Sequence, residues 1–150
     1  MKLAHLLPAR VFLSLLALAA VPAFAANRSL TITAPATAKP GSEVHISVAA
    51  STDATDGEQI GFFQPEYSVD GGKTWTPAYA EKVGRSVSRG LDLKAGAEGS
   101  TILVRLRVAF RGGKAGDVDV SGAALPWAGA WGKWQPPTAR QVTIEVTARP

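Results

Sequence analysis

The sequence predicts an all-β protein: one antiparallel β-sandwich domain held together without a disulfide. Three observations carry that expectation. Apolar and polar residues alternate strictly in four separate segments, turn-rich connectors part those segments, and no stretch keeps a helical period with caps. Cysteine is absent from all 150 residues, so burial and strand ladders must supply the stability that many small exported domains take from disulfides. The same absence removes thiolate metal sites, redox motifs and thiol nucleophiles.

Taken in order, "SLTITA" puts Leu30 and Ile32 on one face. "EVHISVAA" sets Val44, Ile46 and Val48 against His45, Ser47 and Ala49. "STILVRLRVAF" sets Ile102, Val104, Leu106, Val108 and Phe110 against Leu103, Arg105, Arg107 and Ala109. "RQVTIEVTA" opposes Val142, Ile144 and Val146 to Thr143, Glu145 and Thr147. Successive side chains of a strand point to opposite faces, so each segment reads as a strand with one dry and one wet side. That pattern belongs to antiparallel sheets. The connectors "AKPGSE", "STDATDGEQ", "KAGAEGS" and "FRGGKAGD" carry Gly, Pro or Asp turn chemistry. In "GFFQPEY", a strand would send Phe62 and Phe63 to opposite faces, one into the core and the other toward a surface patch.

"YSVDGGKTW" predicts a hairpin. Tyr67 and Val69 share a parity on the way in, and Asp70-Gly71-Gly72 tolerate positive φ. Lys73-Thr74-Trp75 leads out as the return strand, with Trp75 folding back over the turn. Ser68, Asp70, Gly72, Thr74 and Trp75 spell a pattern that resembles the Asp-box hairpin of sialidase-type propellers. It is also similar to the immunoglobulin-like dimerisation domain of sulfite-oxidase-type molybdenum enzymes. In both families the hairpin is a structural element, so the resemblance implies an immunoglobulin-like sandwich rather than an activity. The start of the body, an edge strand, "KPG" and an alternating strand, resembles many immunoglobulin-like exported domains.

Residues 1–25 predict a secretory signal peptide. Lys2 and Arg10 give a basic start, "VFLSLLALAAV" an apolar run too short to span a bilayer, and Ala23 and Ala25 the small residues of a cleavage site before Ala26. Residues 26–150 would then form the immunoglobulin-like domain, exported to the periplasm or secreted, with no membrane insertion after cleavage. The leader holds two of the 16 basic residues and none of the 12 acidic ones, which brings the body from the whole chain's +4 down to about +2. The remaining bases are scattered, which argues against nucleic acid as a partner.

The catalytic inventory is thin, and the expectation is a protein that is not an enzyme and needs no cofactor. His45 is the one histidine outside the leader and falls on a polar strand face, where a solvated or cross-strand role is favoured over a place in a Ser-His-Asp triad. A histidine metal site is excluded on number. Asp53, Asp56 and Glu58 offer the best all-oxygen calcium candidate, against the commoner use of such a run as a solvated turn. Arg105 and Arg107 share a strand face with no acid adjacent in sequence. Pairing with a neighbour such as Glu145 is the ordinary reading, and an anionic-ligand face the sharper one.

"PWAGAWGKW" gathers Trp127, Trp131 and Trp134 around Lys133 in a Gly- and Pro-rich segment. The indoles would either plug an open end of the sandwich or remain outside as a recognition surface. Trp127, Trp131, Lys133 and Trp134 are accordingly the candidate binding residues. The function expected is a non-catalytic exported binding domain with a protein partner, of inhibitor, immunity or accessory type. Two alternatives are a carbohydrate-binding module that stacks sugars on exposed indoles, and an accessory subunit of a periplasmic redox or surface assembly.

Overall fold

The computed structural model describes residues 26–78, 83–125 and 140–148. The predicted leader lies outside them. Among the described residues there are nine strands and no helix: β1 (Arg28–Thr33), β2 (Thr37–Ala38), β3 (Glu43–Thr52), β4 (Gln59–Ser68), β5 (Thr76–Pro77), β6 (Ser86–Lys94), β7 (Thr101–Gly113), β8 (Gly116–Val118) and β9 (Arg140–Val146). They make two sheets. One has the order β1-β3-β6; the other runs β2-β9-β7-β4-β5, with β8 also on β7. All pairings are antiparallel except the short one between β2 and β9. This is an immunoglobulin-like sandwich without a cysteine.

The alternating segments fold as their pattern dictates. Val44, Ile46 and Val48 of β3 and Ile102, Val104, Leu106 and Phe110 of β7 are at most 2% exposed, and they meet in one core with Phe63, Leu91 and Ile144. Fully burying a side chain of this kind contributes about 1.5–3 kcal/mol, which is how the sandwich dispenses with a covalent staple.

The strand β4 is buried on both faces. Its register against β7 shifts between Ile60 and Phe62, a bulge at Gly61 after which the two phenylalanines point opposite ways. Phe63 enters the main core, while Phe62 packs with Ala109 and Leu125 on the other face of the sheet. Phe62 is therefore no surface patch: Leu125 covers it, a contact no local pattern announces. Pro65 fits a strand because its carbonyl, on the β5 side, accepts from Ala78 N–H while its missing N–H falls on that same side, away from β7.

A segment read as a connector contains strand at both ends. "FRGGKAGD" holds the end of β7 and the start of β8. The strand β6, opposite β3 over its full length, gave no clean alternation, because Arg89 stands in the row of Val87, Leu91 and Leu93.

Candidate functional site

The outer face of the larger sheet concentrates charge and aromatic surface. The β4–β7 register sets Glu66 opposite Arg105 and Gln64 opposite Arg107. Glu66, 3% exposed, accepts from Arg105 Nε at 2.5 Å, from Arg107 Nη1 at 3.1 Å and from Gln64 Nε2 at 2.5 Å. The two arginines of β7 thus take a common partner on the neighbouring strand β4. Glu145, the neighbour the sequence suggested, faces Thr101 at the far end of β7. Trp75 completes the group, its ring 3.8 Å from the Arg105 guanidinium carbon. A guanidinium held by a carboxylate and lying on an indole has little freedom left, and this part of the face is preorganised.

Trp75 reaches that place through the turn after β4. Ser68 Oγ donates to Asp70 Oδ1 at 2.7 Å and accepts from Gly72 N–H at 2.9 Å. Asp70 in turn accepts from Thr74 N–H at 2.9 Å and from Thr74 Oγ1 at 2.6 Å. Gly71 and Gly72 have φ of 74° and 87°, where a side chain would be strained. The five residues singled out from the sequence therefore act together. Their return path differs from expectation: Lys73, Thr74 and Trp75 belong to the turn, and pairing resumes only at Thr76. The indole covers the turn at Gly72 and continues onto Arg105.

The segment with Trp127, Trp131, Lys133 and Trp134 lies outside the described residues. Its two flanks are placed. Leu125 is buried against Phe62 and Ala109 on this outer face, and Arg140, at the start of β9, opposes Leu106 near the middle of β7.

The remaining candidates separate. His45 is exposed and pairs across strands, Nδ1 lying 2.6 Å from Asp92 Oδ1 on the outer face of the smaller sheet. Asp53 and Asp56 are exposed turn residues: Asp53 accepts from Asn27 N–H and Nδ2, both at 2.7 Å, and Asp56 from Lys114 N–H at 2.8 Å. These hydrogen bonds hold both carboxyls below the usual range. Glu58 corrects the reading of that run as solvated. It is 1% exposed and takes Arg28 Nε at 2.9 Å and Thr52 Oγ1 at 2.6 Å. Among the described residues no three His, Cys, Asp or Glu converge as metal ligands.

No family model matches this sequence, and no curated protein matches it. Solved structures similar in part include the following two. A putative superoxide reductase from Thermotoga maritima shares 14% identity at a TM-score of 0.37, over 53% of this chain and 74% of its own. Superoxide reductase (neelaredoxin) from Ignicoccus hospitalis shares 12% at 0.37, over 55% and 71%. Likeness at this level carries nothing about the chemistry of this chain.

Proposed function

We propose that this protein is a non-catalytic binding domain that recognises a protein partner with the outer face of its larger sheet and with the Trp127–Trp134 segment. The observation that carries the reading is the Trp75–Arg105–Glu66–Arg107 group, whose arginine side chains are 27% and 21% exposed and are fixed by Glu66 on the neighbouring strand. Tryptophan and arginine dominate binding hot spots because they offer much area and few rotamers to freeze. Leu125, the residue that precedes the tryptophan-rich segment in sequence, is itself buried on the same face. The ionisable groups there already satisfy one another, which suits recognition better than proton transfer. Export of the domain, as its first 25 residues suggest, would put that face before periplasmic or extracellular partners.

The test is isolation of partners with the protein as bait, followed by affinity measurement on single alanine variants. Trp75→Ala, Arg105→Ala and Trp131→Ala should each weaken the isolated partner at least tenfold, a loss of about 1.4 kcal/mol or more. Unchanged affinity in all three overturns the reading. Quenching of tryptophan emission by soluble glycans, with no protein partner recovered, would replace it with carbohydrate stacking.

A further inference from the structure

The Trp75–Arg105–Glu66–Arg107 group holds more positive charge than its own contacts consume. Glu66 is a single buried carboxylate, yet it takes two guanidinia, from Arg105 Nε at 2.5 Å and from Arg107 Nη1 at 3.1 Å. One arginine is enough to neutralise it and offset the cost of its burial. The second leaves one positive charge over. Arg105 uses only Nε on Glu66, and its guanidinium lies on the Trp75 ring. Its two terminal nitrogens have no partner among the described residues. A guanidinium carries its N–H donors in a fixed planar fork. The Nη1–Nη2 edge is therefore a donor pair whose direction Trp75 and Glu66 already set.

No acid among the described residues answers that edge. On β9, Gln141 faces Arg105 and Thr143 faces Leu103, both exposed and uncharged. Further up β7, Arg111 is paired with Asp117, and Arg140 of β9 donates to the Leu30 carbonyl of β1. The hairpin end of the sheet carries Asp70, Glu98 and Glu145 together with Lys39 and Lys73. There Asp70 accepts from Ser68 and Thr74, and Glu98 from Ala148 N–H. Glu145 opposes Thr101, four positions along β7 from Arg105. At strand spacing that is about 13 Å, past the screening length of about 8 Å at physiological salt. The middle of the face keeps its surplus. Beside it Trp75 and Leu103 converge over Gly72, where a Cβ would lie 3.3 Å from Leu103 Cδ1 and 3.7 Å from Trp75 Cζ2. An apolar floor thus adjoins the donor edge.

We propose that the partner of this face presents an acidic peptide segment: its carboxylate accepts from Arg105 Nη1 and Nη2 beside Gln141, and an apolar neighbour rests on Trp75 and Leu103. A planar fork matches a carboxylate, and one surplus charge balances one carboxylate better than a phosphate dianion. The proposal rests on the binding role given to this face above and adds the chemistry of its partner. The test titrates the purified protein with acetyl-Glu-Leu-amide, following the Arg105 Nε–Hε signal in nitrogen-edited NMR. Acetyl-Gln-Leu-amide, acetyl-Lys-Leu-amide and inorganic phosphate are the comparison ligands. The acidic peptide should move the signal saturably, with each of the others at least about tenfold weaker. Gln141→Glu sets a carboxylate of the chain's own opposite Arg105. It should weaken the acidic peptide at least about tenfold without lowering the melting temperature, whereas Gln141→Lys should not weaken it. No saturable response, an equal response to the Gln peptide or to phosphate, or parent-like binding in Gln141→Glu overturns the proposal. A partner isolated by bait that responds to Trp75→Ala but not to Gln141→Glu also overturns it, and leaves the binding face standing. Acidic-peptide binding with no protein partner recovered supports the site and overturns the broader reading instead.

Discussion

Asp70 is exposed, yet its carboxyl is held well below the usual carboxylate range, first by the Thr74 hydroxyl, then by Thr74 N–H and the Ser68 hydroxyl. A carboxyl that titrates lower in the folded chain supports the fold fully above its ordinary value near 3.8, and that support drains away as the pH falls below it toward the lowered value. Asp70→Asn should therefore lower the urea midpoint at pH 6, and the gap from the parent protein should narrow steadily between pH 4 and pH 2. A gap that stays constant over that range contradicts the account. The turn was legible because all its partners lie within four residues of one another. Glu58 and Glu66 were not, since their arginines stand 30 and 39 residues away and only the strand register brings them together.

Elements with unbroken alternation, such as β3 and β7, could be read directly, because a half-buried strand imposes a period of two on its own sequence. Very short strands cannot show a period: β2 and β5 have two residues each and exist through their neighbours. The strand β6 is long enough, but it is an edge, and Arg89 interrupts its inward row opposite Val48. A charge in the dry row of an edge strand discourages another chain from extending the sheet. Arg89→Val should restore the alternation and with it the hazard, giving concentration-dependent association by analytical ultracentrifugation at loadings where the parent stays unchanged. Identical sedimentation of the two proteins over a tenfold concentration range would show that Arg89 does not guard the edge.

Across the whole molecule, one core draws on both sheets. Phe63 from the larger sheet shares it with Ile46 and Leu91 from the smaller, so neither sheet keeps a dry face alone. Phe63→Ala should cost about 3–5 kcal/mol. Far-UV circular dichroism and tryptophan emission should shift together in urea, as two-state unfolding requires; separated transitions would mean that the sheets melt independently. The sandwich class followed from periodicity, but the outer-face group could not, because pairing partners are a property of register and not of local pattern. Complete lack of thiols has a practical corollary. Any cysteine introduced by mutation is chemically unique in these 150 residues, and Val69, 63% exposed at the hairpin tip, offers a dye an attachment point a few residues from Trp75. A fluorophore there would report occupancy of the neighbouring face in a single-label experiment, with no background from native sulfhydryls.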